Sequence, residues 1–154
     1  MSRAAVAMSA EEIVQMLATA RTAVLATIGP DGVPDPVPMW FVLRDGDLWM
    51  RTYAKSQKVT NLHRDPRVSV LIEDGDRYAD LRGVQWSGRI ELHEDVDLIC
   101  DIVADLLVKY EGLDPADRRG VMEAYRPTAA KQVAMRLVVE RTTSWDHGKI
   151  VPGA

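Results

Sequence analysis

The spacing of apolar residues changes from a helical period to an alternating one after residue 20. Ser9 and Glu12 form a capping-box pattern, and apolar residues follow it at helical spacing, which predicts an N-terminal helix at about 9–20. Beyond this helix, short apolar and β-branched runs alternate with turn signals such as Asp45-Gly46. These runs predict strands at 23–28, 33–43, 48–53, 68–73, 84–92 and 133–140.

Helical spacing returns between the last two predicted strands. Apolar residues at 96, 99, 103, 106, 107 and 110 predict an amphipathic helix that ends at Gly112. Asp114-Pro115 begins a further helix, because proline is favoured at the first helical position. We therefore expect a helical insertion at about 95–126, and a short helix that ends before Pro66. Six antiparallel strands with flanking helices predict a mainly β (α+β) fold, a small barrel forming a single domain over 1–154.

Proline occupies alternate positions of the predicted second strand, at Pro34, Pro36 and Pro38. The N–H groups of alternate strand residues point to the same side, so these prolines remove consecutive donors from one edge of the strand. That edge keeps only carbonyl acceptors. It is either a protected edge that faces solvent or an edge that faces a ligand, and the residues alone leave both interpretations open.

Composition narrows the class of protein. The 154 residues include 19 basic and 23 acidic side chains, and this net charge of -4 argues against a general nucleic-acid binder. The histidines lack the spacing of a helical metal pair, and Cys100 lacks a CxxC partner, so we expect no metal site. No apolar run reaches membrane-spanning length, and the N-terminal run is too short for a signal peptide, so we expect a cytoplasmic protein. The four tryptophans and single phenylalanine suit either a core or a flat ligand.

The strongest candidate for chemistry is the basic, hydroxyl-containing segment at 51–58. Ser56 is a favourable helix N-cap, and a helix N-terminus presents free N–H groups and a partial positive charge. Thr52 adds a hydroxyl group. The positive side chains around this end are Arg51, Lys55 and Lys58. Such a set binds phosphate, although a solvated basic turn is the alternative. The sequence has no nucleophile-elbow or nucleotide-binding motif, so an enzyme of this sequence depends on a bound cofactor.

Three segments carry a family resemblance: the hairpin at 27–41, the segment at 55–68 and the strand at 83–92. They resemble pyridoxamine-phosphate-oxidase-like split β-barrel proteins, and 55–68, the most specific of the three, resembles the segment that holds the cofactor phosphate. The similarity runs from about Glu11 to Trp145. The ending at 143–149 is similar to the branch that uses the deazaflavin coenzyme F-420, while other branches bind FMN, FAD or haem.

The resemblance implies a split barrel of the FMN-binding type. It implies an oxidoreductase that transfers hydride from reduced F-420 to an unsaturated small organic substrate. FMN is the alternative cofactor. A protein that binds or sequesters flavin, deazaflavin or haem without catalysis is the alternative function. Family members are homodimers with the cofactor at the subunit interface, so the resemblance also implies a homodimer.

The resemblance also assigns roles to particular residues. The cofactor phosphate would be held by Arg51, Thr52, Ser56 and Lys58, and Lys55 is the further cofactor-binding candidate, from its positive charge at the same helix end. The ring system would lie along the backbone of Val37, Pro38, Met39 and Trp40. Trp86, or Trp145 of the partner subunit, would pack near the ring or the substrate. Gln57 and Thr60 stand where arginine is more frequent in the family, which implies weaker charge compensation. No residue matches a pyridoxamine-phosphate site, so vitamin synthesis is not expected. The candidate proton donors are Tyr53, Tyr78 and His147.

Overall fold

Seven antiparallel strands form one sheet in the computed structural model, which describes residues 3–150. The strands are β1 (Ala23–Ile28), β2 (Pro34–Met39), β3 (Val42–Arg44), β4 (Asp47–Tyr53), β5 (Arg67–Asp74), β6 (Arg82–His93) and β7 (Gln132–Asp146). Their order across the sheet is β2-β1-β5-β6-β7-β4-β3. The predicted count of six was wrong, because the expected strand at 33–43 is interrupted at Trp40 and Phe41.

The two edges of this sheet approach each other at one corner. β2 and β3 are at opposite ends of the strand order, yet only Trp40 and Phe41 connect them. Three peptide steps span at most about 11 Å, so Met39 and Val42 lie close together. The sheet therefore curls until its edges meet at Trp40–Phe41, which we call the barrel corner. The predicted mainly β split-barrel fold is confirmed.

Alternate strand residues fill the interior of this barrel. In β4, Leu48, Met50 and Thr52 are buried while the residues between them are more exposed, which is the period of a strand with one face in a core. Leu25 of β1 and Ile72 of β5 join Met50 in the same buried cluster. Full burial of such an aliphatic side chain contributes about 1.5–3 kcal/mol.

The long strands β6 and β7 bend together at a bulge between Ser87 and Gly88. A Cβ atom at Gly88 would lie 2.0 Å from the carbonyl oxygen of Val138, so the two backbones approach more closely than any side chain allows. Bulges of this kind increase the local twist of a strand, which is what a curled sheet requires.

Within the described residues, four α-helices flank the sheet: α1 (Ala10–Thr19), α2 (Gln57–Arg64), α3 (Val96–Glu111) and α4 (Arg118–Ala129). The predicted capping box begins α1, since Ser9 and Glu12 bond to each other's backbone N–H. α3 ends at Gly112, whose φ of 69° is in the left-handed region. Asp114-Pro115 begins a 3-10 turn that leads into α4. The helical insertion therefore extends to Ala129, beyond its predicted end at 126.

α3 packs on the outside of the barrel through a second apolar cluster. Ile99, Ile102 and Leu106 meet Val42 of β3 and Ala134 of β7 there. Cys100 lies in the same cluster, and burial raises the pKa of its thiol. Within residues 3–150, no helix is long and apolar enough to cross a membrane, and the cytoplasmic location stays a prediction. The same residues contain no cluster of three or more metal-ligating side chains of the His, Cys, Asp and Glu types.

Candidate functional site

The end of β4 meets the beginning of α2 at three converging side chains. The hydroxyl of Thr52 donates to Oγ of Ser56 across 3.4 Å, and Nζ of Lys58 donates to Oγ1 of Thr52 across 3.5 Å. Both distances are at the long limit of hydrogen bonding, so these polar atoms keep capacity for a better partner. We call Thr52, Ser56 and Lys58 the cradle.

The cradle has the electrostatics of an anion site. Ser56 is the N-cap of α2, but its side chain makes no capping bond. The first N–H groups of a helix have no intrahelical acceptors, and they carry the positive end of the helix dipole. No acidic residue lies in the first turn of α2, and Lys58 adds a full positive charge. The residues present therefore fit a phosphate group, which needs several donors and positive charge.

Arg51 and Lys55 lie outside this convergence. Arg51 is on the opposite face of β4 from Thr52, and its guanidinium lies 5.9 Å from the ring centroid of Tyr125 in α4. The alternation of strand side chains already separates neighbouring residues in this way, so the sequence contained that signal. Lys55 is exposed in the turn before Ser56 and adds positive charge at its rim.

Asn61, which is not among the candidate site residues predicted from the sequence, fixes α2 against the sheet. Its side chain is fully buried, and its amide nitrogen donates to Thr27 Oγ1 at 2.9 Å and to Asp35 Oδ2 at 3.2 Å. Its amide oxygen accepts from Gln57 at 2.9 Å and from Arg64 at 3.2 Å. A buried amide with partners on every side holds one geometry. The only sequence signal was the i, i+4 spacing of Gln57 and Asn61.

The row of prolines in β2 forms a free edge of the sheet, as the alternation predicts. β2 is the outermost strand beside β1, and Pro34, Pro36 and Pro38 face Ile28, Ala26 and Val24 in the register. Proline is tolerated in a strand only at positions where the N–H group of another residue would point away from the neighbouring strand. The outward side of β2 therefore presents carbonyl oxygens without N–H donors, and we call it the acceptor edge.

α2 joins the cradle to the acceptor edge. The cradle is at its first turn, and Asn61, one turn further and about 6 Å along the axis, bonds to Asp35 at the start of β2. One short helix thus places an anion site and a row of acceptors at neighbouring points of the barrel.

The tryptophans are spread around the molecule. Trp40, at the barrel corner, is stacked on Tyr110. Trp86 is 9% exposed and belongs to the interior of the barrel. It lines an apolar cavity of about 540 Å³ together with Leu48. Leu48 is four residues before Thr52, or ~13 Å away along β4. Trp145 covers Gly83 near the end of β7, whereas Thr52 faces the beginning of that strand. A role for Trp145 at a cradle therefore requires the partner subunit.

Of the three candidate proton donors, Tyr53 is next to the cradle along the chain, but it is on the opposite face of β4 from Thr52, as Arg51 is. It follows Thr52 directly and is 53% exposed. Tyr78 and His147 instead pack against each other, with ring centroids 4.6 Å apart, and Nδ1 of His147 lies 2.8 Å from the carbonyl oxygen of Tyr78. That pair adjoins the end of β7, with Trp145.

Comparisons with known proteins bear on the family and the fold of this chain. The family model described as pyridoxamine 5'-phosphate oxidase matches residues 9–146. The chain is similar to a conserved hypothetical protein of Mycobacterium tuberculosis, with 41% identity, a TM-score of 0.87, and coverage of 100% of this chain and 95% of the other. No curated protein matches the sequence.

Two more distant structures show the fold alone. One is an F-420 reductase, with 24% identity and a TM-score of 0.63, matched over 83% of this chain and 93% of that one. The other is a haem storage protein of Vibrio cholerae, with 16% identity and a TM-score of 0.65, matched over 89% and 96% of the two chains.

Proposed function

Because the chain belongs to the pyridoxamine 5'-phosphate oxidase family, we propose that it is a homodimeric oxidoreductase that binds coenzyme F-420. In this proposal it catalyses hydride transfer to an unsaturated small organic substrate. The observation that carries the proposal is the connection of the cradle to the acceptor edge through α2 and Asn61. A deazaflavin carries a phosphate group and a flat ring with an imide N–H, so its two ends match the two parts of this site.

The chain supplies binding, orientation and exclusion of water. Thr52, Ser56 and Lys58 would hold the phosphate, and the carbonyls of the acceptor edge would be the acceptors for the ring N–H. When bound in its reduced form, the cofactor supplies a hydride to one carbon of the substrate double bond, and the other carbon takes a proton. The protein then needs to orient the two reactants. The candidates for the proton stay Tyr53, Tyr78 and His147.

Titration of the purified protein with F-420, followed by the fluorescence of the cofactor, tests the proposal. We expect saturable binding, and we expect Lys58→Ala to weaken it at least about tenfold, since a hydrogen bond to a charged group contributes about 1.5–3 kcal/mol. The free energy of unfolding should change by less than ~0.5 kcal/mol. Arg119→Ala is the matched control, because Arg119 is an exposed cation in α4 whose ion partner is Glu123.

Other results would redirect the assignment. Equal F-420 affinity in Lys58→Ala and the native protein would contradict the cradle. Tighter binding of FMN than of F-420 would move the same site to the alternative cofactor. A haem absorption band in the freshly purified protein would instead favour haem storage, the function of the Vibrio cholerae protein that shares this fold.

A further inference from the structure

The barrel corner is fixed by one tyrosine of α3. Phe41 belongs to neither β2 nor β3 and is fully buried, so its backbone groups need partners outside the ladders. The hydroxyl of Tyr110 accepts from the N–H of Phe41 at 3.1 Å and donates to its carbonyl at 3.2 Å. Nζ of Lys109 donates to the same carbonyl at 3.3 Å and lies 3.6 Å from the centroid of the Phe41 ring. These hydrogen bonds therefore fix the backbone conformation of the barrel corner.

The same tyrosine holds Trp40. The two rings are nearly parallel, with centroids 4.3 Å apart and an interplanar angle of 7°. The guanidinium of Arg21 lies 4.8 Å from the Tyr110 centroid and donates to the carbonyls of Lys109 and Tyr110, which ties down the end of α3. Tyr110 itself is only 8% exposed. One end of the Trp40–Tyr110 stack is thus anchored in the protein.

Trp40, the other member of the stack, is exposed. Trp40 remains 44% exposed although its neighbours on both sides of the corner are packed. A large aromatic ring that is both fixed and exposed is a surface on which another flat ring can stack, at low cost in side-chain entropy. Trp40 also follows Met39 directly, so this residue comes at the end of the acceptor edge.

We propose that Trp40 is a stacking platform for a flat, conjugated substrate, and that Tyr110 is the positioning residue that holds it. This inference rests on the proposed function, because it places the second reactant beside the edge that binds the cofactor ring. A double bond accepts hydride when it is conjugated to an electron-withdrawing group, and such a molecule is planar and electron-poor. An indole face is electron-rich, so the platform selects that class over saturated molecules of equal size.

Isothermal titration of the F-420-loaded protein with two uncharged probes of similar size tests the platform. The probes are quinoxaline, which is flat and electron-poor, and 2-decalone, which is saturated. We expect Trp40→Leu to weaken quinoxaline binding about tenfold, in line with the effect of removing one aromatic stacking partner. The affinity for 2-decalone should change less than about threefold, because that probe gains little from stacking.

Tyr110 is tested by two variants. Tyr110→Phe keeps the ring stack and removes the hydroxyl, whereas Tyr110→Leu removes both. We expect quinoxaline binding and the near-ultraviolet circular dichroism of the stacked pair to be largely kept in Tyr110→Phe and lost in Tyr110→Leu. A residue that served stability alone would weaken both probes equally, which would overturn the positioning role.

The outcomes separate this inference from the proposed function. Unchanged quinoxaline affinity in Trp40→Leu, with normal F-420 binding, would overturn the platform and leave the cofactor assignment intact. If the native protein binds no F-420, the proposed function fails. The quinoxaline and 2-decalone titrations of the cofactor-free protein then still decide whether Trp40 discriminates flat from saturated molecules.

Discussion

Lys109 carries its charge in a half-buried position beside Phe41, and this has a measurable consequence. Burial, together with the positive charge of Arg21, lowers the pKa of Lys109 from 10.5 to about 8. Between pH 8 and 10.5 the unfolded chain therefore binds more protons than the folded one, so this residue makes stability rise with pH across that window. Below pH 8 both states are protonated, and the cost of burying the charge is fully present.

Lys109→Met should abolish that contribution, since methionine has no proton to lose. We expect the urea midpoint of the native protein to rise relative to that of the variant between pH 7.5 and pH 9.5. The Cys100 thiol, whose pKa is raised by burial, changes stability in the opposite direction near pH 9. It is common to both proteins, so its effect cancels in the difference. An identical pH dependence in the two proteins would contradict the assignment.

The placement of residues that are close together in the sequence was predictable, and placement that depends on the tertiary fold was not. Ser56 and Lys58 belong to one helix start, and the chain places them together without help from distant segments. Asn61 acts through Thr27 and Asp35, which are distant in sequence, so nothing near it indicates its burial. The family resemblance pointed to its segment but not to its role.

The strands, too, divide into features that local sequence predicts and features that depend on the tertiary fold. Alternate prolines specified an edge strand because the period of a strand is two, and β2 is that edge. The break between β2 and β3 at Trp40 and Phe41 was not predicted, because Trp40 to Leu43 is a continuous apolar run without a turn residue. The break depends on Tyr110, which is 69 residues away along the chain, and on the curl of the whole sheet.

The prolines of β2 should also protect the edge against association. The double variant Pro36→Ala and Pro38→Ala adds two outward N–H donors, which completes a template for another strand. We expect faster aggregation in light scattering on mild heating, and a loss of about 1 kcal/mol in stability because the unfolded chain gains freedom. Pro115→Ala is the control, since Pro115 begins a 3-10 turn and lies on no sheet edge. Equal aggregation rates in both variants would contradict the role of the edge.

At the scale of the molecule, the outer side of β1 and β5 is a candidate surface for a second copy. Val24, Ala26 and Ile28 alternate with the buried residues of β1, and Leu71 of β5 faces Val24 in the register. All four side chains are half-buried. α2 contacts β1 through the Thr27 side chain, which is buried on the interior side, and through the backbone carbonyl of Ile28, which accepts from Arg64. A stable interface covers about 800 Å² on each subunit and has an apolar centre. The outer side of β1 and β5 would supply that centre.

We therefore expect multi-angle light scattering to give a mass of twice the 17.1 kDa of one chain. Leu71→Lys should shift the protein toward monomer, because a cation in the centre of an apolar interface is left without a partner. If the cofactor site needs both subunits, the same variant loses F-420 affinity in proportion to its monomer fraction, while Arg119→Ala stays dimeric. If the native protein is instead a monomer and still binds F-420, one barrel holds the cofactor alone. In that case the distance of Trp145 from Thr52 along β7 would exclude Trp145 from the site.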